Sequence, residues 1–175
     1  MTNPSHLVVR YSDTMFAVGD VIAKHNAVVS KQGAVWFGKL GIPLAQSRVD
    51  LLNRQIHGNT PTFLYLIKGN RRKSTAYRAK LLLVSRERPR EKKLVPAYYD
   101  EKKLIRYMKV WMKIGKISPI DLGEMSRLRA ISSIYPITET LAKSSSGYFL
   151  VHECRADRFM WHEGDAIITD EDPRD

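Results

Sequence analysis

Apolar positions alternate with polar ones along some stretches of this chain and recur every three to four residues along others. His6 to Tyr11 (HLVVRY) is rich in β-branched residues and predicts a first strand. From about Ala17 to Ser30 the period becomes helical, with Val18, Val21, Ile22, His25, Val28 and Val29 on one face and Gly33 as a stop. Ala34 to Lys39 predicts a second strand, and Pro43 then breaks the chain. Ser47 is the expected N-cap of a second helix, with Asp50 three residues on as its capping partner. Val49, Leu52 and Ile56 form the stripe of that helix, and Gly58 ends it.

Thr62 to Lys68 (TFLYLIK) is apolar on both faces and predicts a buried central strand. Thr75 to Glu87 predicts a long partner strand, with the basic turn GNRRKS between the two. A charged loop, RERPREKKLVPAYYDEKK, follows. Met108 to Lys113 alternates, with Met108, Val110 and Met112 on one face and Lys109, Trp111 and Lys113 on the other. Short helices are expected around residues 121–129 and 137–142, and Tyr148 to His152 predicts a closing strand. After Thr62 the strands lack regular helical crossovers. The expected fold is therefore α+β, with a curved, mostly antiparallel sheet or small barrel and helices packed around it.

The second strand poses a question about chemistry. If Val35 and Phe37 face a core, then Ala34, Trp36 and Gly38 face the other way. One large aromatic then stands outside that core between two of the smallest residues. Two readings stay open: Trp36 packs beneath another element, or it forms one wall of a pocket.

Charge narrows the choice of partner. The 175 residues carry a net charge of +11, yet residues 163–175 hold six acids and one base. The other 162 residues hold 28 bases against 12 acids, a footprint that attracts nucleic acid. The expected organisation is one domain over residues 1–162 and an acidic C-terminal tail over 163–175. Cys154 is the single cysteine, which excludes an intramolecular disulfide. With no long apolar run and no signal-peptide layout at the start, a cytoplasmic location and no membrane partner are expected.

The runs 34-AVWFGKLGIPLAQSRVDLLNRQI-56 and 62-TFLYLIKGNRRKSTAYRAKLLLVSRE-87 follow a helix, and 107-YMKVWMKIGKISPI-120 comes after them. In order and pattern this resembles the YTH domain, which belongs with EVE and other PUA-like folds. The resemblance covers roughly residues 6–153 and is most specific at the Val-Trp and strand-Trp positions. It implies a PUA-like fold that grips a methylated or otherwise modified base in an aromatic cage. It implies that Trp36 is the first ring. The second ring of such cages comes from the loop after the long strand, where Tyr98 and Tyr99 are the rings this sequence offers in place of a Trp. That departure opens the preference to bases other than methyladenine. EVE domains linked to bacterial restriction systems read modified DNA, so DNA and RNA both remain candidates. The resemblance further implies a prokaryotic defence or restriction setting, with a fused or associated ATPase or nuclease.

Energetics suit a reader with several contacts. Base–aromatic stacking is worth about 1–3 kcal/mol per base, and burying one methyl adds only about 0.8 kcal/mol. Extracting a base from a duplex costs a few kcal/mol. Edge and phosphate contacts are therefore needed. Asn26 is the candidate for the base edge, and Trp111, beside two lysines, for further stacking. Lys24, Arg71, Arg72 and Lys73 are the candidates for phosphate. His25 reads as a hydrogen-bonded core histidine. His152, Cys154 and His162 fit no zinc spacing, and no Walker loop, dinucleotide, HExxH or GxSxG motif occurs. The expectation is a binding protein without cofactor or catalysis. The rivals are an RNA-binding module indifferent to modification, a metal-dependent nuclease, and a protein-interaction domain.

Overall fold

In β1 (His6–Arg10) and β3 (Phe63–Gly69) every second side chain enters a different core. Leu7, Val9, Leu64 and Leu66 join one cluster, while Val8, Tyr65 and Ile67 join another on the opposite face. This is the burial on both faces that the apolar run TFLYLIK predicts. The computed structural model describes residues 3–14, 17–69, 74–131, 135–143 and 147–154.

The remaining elements are α1 (Val21–Gln32), β2 (Val35–Leu40), α2 (Gln46–His57), β4 (Ser74–Ser85), α3 (Tyr98–Glu101), β5 (Met108–Ile114), β6 (Ser118–Ile120), α4 (Leu122–Ser126), β7 (Leu128–Ala130), α5 (Ile137–Lys143) and β8 (Tyr148–Glu153). Eight strands form one sheet in the order β2-β5-β4-β3-β1-β8-β7, with β6 also on β4. Every pairing is antiparallel except β1 with β3, which the α1–β2–α2 crossover separates in sequence. Among the described residues the sheet is open, ending at β2 and β7. The expected α+β architecture is therefore the one observed.

Helices α1 and α2 supply Val21, Ile22, Val49 and Leu52 to the first core. Met125, Leu128, Ala130 and Ile137 close the second. Three amide side chains then act as surrogate strand neighbours. Asn53 of α2 donates to the Val84 carbonyl and accepts from the Val84 N–H, both at 2.8 Å, beside the register shift in β4. Gln55 brackets the backbone of Ser5 in the same way, and Asn26 brackets that of Ile117.

Element boundaries depart from the sequence reading at three places. Helix α1 starts at Val21 instead of Ala17, because the Asp20 carboxylate caps the Ala23 N–H at 2.9 Å and Asp13 takes the Val21 N–H at 3.0 Å. Ser47 is not the cap of α2. The helix begins at Gln46, whose side chain donates to Asp50, the expected capping partner. The helix expected over 121–129 stops at Ser126, and Leu128 to Ala130 becomes β7 because β8 offers it a strand edge. The turn holding Arg71, Arg72 and Lys73 lies outside the described residues, as do the acidic tail and His162.

Candidate functional site

The alternation in β2 carries through to three dimensions. Val35 and Phe37 enter the core under α1, and Trp36 enters a third cluster on the far side with Leu94, Tyr98, Tyr99, Leu104, Met108 and Trp111. Gly38 is required by its neighbours. A Cβ there would stand 2.9 Å from Met108 Cγ and 3.0 Å from Trp111 Cζ3.

Helix α3 breaks the charged loop after β4 and brings two tyrosines against this region. Their rings stack at 4.4 Å with planes 22° apart. Tyr99 is anchored by its hydroxyl. The Gly38 N–H donates to Tyr99 Oη at 2.9 Å, and His25 Nε2 lies 3.2 Å away. His25 Nδ1 lies 2.7 Å from the Val21 carbonyl, which can only accept, so Nδ1 carries the proton. Complete burial lowers the His25 pKa from 6.5 to about 4, against the opposing pull of that carbonyl, so the ring is neutral. Nε2 is then an acceptor and the Tyr99 hydroxyl donates to it. Burial, above all, pushes the Tyr99 phenol up to about 12. Burial and neighbouring Tyr99 raise the Tyr98 phenol as well. Both stay protonated at neutral pH.

In front of the pair lies a cavity of about 280 Å³. Tyr98, Tyr99 and Phe37 give it aromatic walls, and Val18, Val21, Leu40, Leu104 and Met108 give it aliphatic ones. Arg10 and Lys39 are its cationic residues, with Tyr11, Ser12, Gly38 and Gly147 completing the lining. Among the described residues lining it, none is acidic. Burial, and then the charge of Arg10, lowers the Lys39 pKa. Two like charges thus stand together at an apolar hollow, an arrangement that favours an anion between them.

The sequence candidates divide sharply. Tyr98 and Tyr99 both line the cavity. Trp36 does not. It is 4% exposed within the tyrosines' cluster, with Lys113 Nζ 5.9 Å from its ring centroid and its indole N–H meeting no partner among the described residues. Trp111 is 1% exposed with its ring 5.2 Å from that of Tyr99, so it is a buried support and not a free stacking surface. Asn26 cannot offer its amide to a base edge as expected, because both ends hold Ile117, at 2.8 and 2.9 Å. Lys24 is exposed on α1, away from the cavity lining.

Sequence reasoning missed Arg10, Lys39 and Phe37 as cavity residues. Arg10 ends an otherwise apolar strand, and Lys39 continues the core-facing parity of Val35 and Phe37. Those were the available signals. Among the described residues no cluster of three or more His, Cys, Asp or Glu side chains could hold a metal ion. No helix among them is long and apolar enough to cross a membrane.

An open, mostly antiparallel sheet with helices packed around it, and an aromatic-lined hollow beside its first helix, make this a small α+β domain with a pocket of ligand size. A family model of Pua-like domains matches residues 7–149, and the chain belongs to that family. Such domains are generally RNA- or nucleic-acid-binding, and they typically bind instead of catalysing. No curated protein and no solved structure matches the chain.

Proposed function

We propose that this protein binds nucleic acid by taking one unpaired base, carrying a methyl or other modification, into the cavity in front of Tyr98 and Tyr99. The observation that carries the reading is the cavity itself: largely apolar and aromatic, with Arg10 and Lys39 and no acid among the described residues that line it. A volume of about 280 Å³ lies just under the roughly 300–1,000 Å³ of ordinary ligand pockets. It suits one base. Tyr98, Tyr99 and Phe37 supply the aromatic lining for the base, and Met108, Leu40 and Leu104 supply the apolar lining for a methyl. Arg10 and Lys39 hold the adjoining phosphate, and Lys24, Arg71, Arg72 and Lys73 are the further phosphate candidates that the sequence offers. With this reading goes the setting that the YTH/EVE resemblance implies, a prokaryotic defence or restriction protein acting with an ATPase or nuclease.

One observation favours a second reading, an RNA-binding module indifferent to modification: Trp36, the ring of the expected cage, is covered. A single titration separates the two. Wild type, the cavity-filling variant Val18→Trp and Lys39→Gln are titrated at fixed salt with single- and double-stranded DNA and RNA. Each oligonucleotide is unmodified, methylated on adenine or methylated on cytosine. A preference of about tenfold, equivalent to ~1.4 kcal/mol, for one modified strand, lost in Val18→Trp, is the expected result. Equal binding of all strands, unchanged in Val18→Trp, refutes the cavity reading and leaves the second.

A further inference from the structure

Among the described residues, Ile42, Tyr107, Ile131 and Tyr135 are the large hydrophobic side chains left exposed. Two of them stand at one place. Leu40 and Met108, which both line the cavity, are paired across β2 and β5 at the end of that ladder. Tyr107 precedes Met108 directly, and Ile42 lies two residues beyond Leu40, so both stand just past the pair. Tyr107 is 50% exposed and Ile42 81%. The Tyr107 N–H donates to the carbonyl of Leu104, another cavity residue, at 2.9 Å. Tyr107 is thus tied to the cavity wall on both sides in sequence.

Its ring is also held. The Arg106 guanidinium carbon lies 4.7 Å from the ring centroid, and Arg106 Nη2 donates to the Tyr107 hydroxyl at 2.7 Å. The surrounding segment, residues 86–109, carries nine bases against four acids, and all nine bases are exposed. An oriented, half-exposed aromatic beside a guanidinium in a basic field has the attributes of a stacking platform for an unpaired base.

We infer that Tyr107 is a second base-binding position, stacking the nucleotide that flanks the one held in the cavity, with Arg106 on its phosphate. The inference rests on the reading of the cavity as a base site, and it makes the ligand a single strand of at least two nucleotides. A duplex keeps its bases stacked on each other and cannot use the platform.

The test uses single-stranded DNA and RNA 12-mers, unmodified or methylated on adenine or cytosine, and the matching duplexes, titrated against wild type, Tyr107→Ala, Tyr107→Trp and Val18→Trp over a salt series. Tyr107→Ala is expected to weaken single-strand binding roughly tenfold. Its slope of log affinity against log salt stays that of wild type, because the ring carries no charge. Tyr107→Trp restores the affinity, and duplex binding is unchanged. Single-strand affinity within twofold of wild type in Tyr107→Ala overturns the inference, as does an equal loss on duplex or a loss accompanied by a shallower salt slope. Loss in Tyr107→Ala without loss in Val18→Trp refutes the cavity reading and, with it, the flanking position. Loss in Val18→Trp alone overturns the platform and leaves the cavity reading standing.

Discussion

Tyr99→Phe removes one oxygen atom and should destabilise the fold by about 2–4 kcal/mol, at roughly 1–3 kcal/mol for each buried polar group left unsatisfied. That oxygen accepts the Gly38 N–H at 2.9 Å and serves the His25 Nε2 at 3.2 Å. Both partners are buried and cannot turn to water. The ring itself stays, so the apolar contacts with Tyr98 and Trp111 persist and almost no void is created. Such a cost is a large part of the roughly 5–15 kcal/mol that stabilises a typical protein. For a chain of this length it corresponds to a drop in Tm of about 5–15 °C. Urea unfolding followed by circular dichroism and by tryptophan fluorescence measures it, and Trp36 and Trp111 report from the same cluster. In the cycle with His25→Phe, the double variant should lose less than the two single losses added, because removing both partners leaves fewer orphaned groups. A Tyr99→Phe protein within about 0.5 kcal/mol of wild type, with an unchanged m-value, would show that the hydroxyl network does not hold the wall and refute the reasoning.

Other perturbations test neighbouring points. Burial lowers His25 to about 4, and burial followed by the charges of His152 and Arg78 lowers His6 to about 4. The folded state then binds fewer protons than the unfolded chain between pH 6.5 and 4, so stability is full above about pH 6.5 and falls toward pH 4. The fall is on the order of 3 kcal/mol per histidine, and a urea midpoint that stays flat from pH 7 to 4.5 contradicts it. Asn26→Ala orphans the N–H and carbonyl of buried Ile117 and should cost about 2–4 kcal/mol, leaving oligonucleotide affinity of the folded fraction unchanged. Lost affinity without lost stability would return Asn26 to the base edge. Lys39→Gln relieves repulsion from Arg10 and should leave thermal stability equal or higher, while the salt slope of nucleic-acid binding shrinks by about one. An unchanged slope places the phosphates elsewhere.

The sheet was legible because it rests on local patterning. Two-sided apolarity in Phe63 to Lys68 and strict alternation at Val35, Trp36 and Phe37 each specify which core a side chain enters, whatever lies on the far side. Helix α3 was hidden. Four residues set in a lysine-rich loop show no period, and they are helical because Tyr98 and Tyr99 find a cluster to enter. Asn26 misled for a related reason. An amide on a helix near a basic surface is equally suited to a base or to a backbone, and its true partner, Ile117, lies 91 residues away. Ile117 in turn needs that amide because the chain leaves β5 at Ile114 and re-enters the sheet only at Ser118.

Trp36 is the instructive case, because the question it raised has an answer different from the one its neighbours suggested. Its parity was read correctly, and it does stand outside the core that holds Phe37. What parity cannot show is depth. The 22 residues between Ser85 and Met108, which link β4 to β5, bring Leu94, Tyr98, Tyr99 and Leu104 into one buried cluster with the indole. The tyrosines are as buried as Trp36, at 7% and 2% exposure, yet they line the cavity together with Phe37, and Gly38 lets the chain pack close enough for Tyr99 to reach its N–H. A wall of tyrosines held by a histidine and a backbone amide presents less ring area than one of tryptophans. On the proposed reading, selectivity rests on the apolar lining of Met108, Leu40 and Leu104, and affinity on Arg10 and Lys39. That reading predicts that salt weakens affinity through Arg10 and Lys39 and leaves largely untouched the ratio between two strands that differ only in a methyl, and titrating both strands over a salt series checks it.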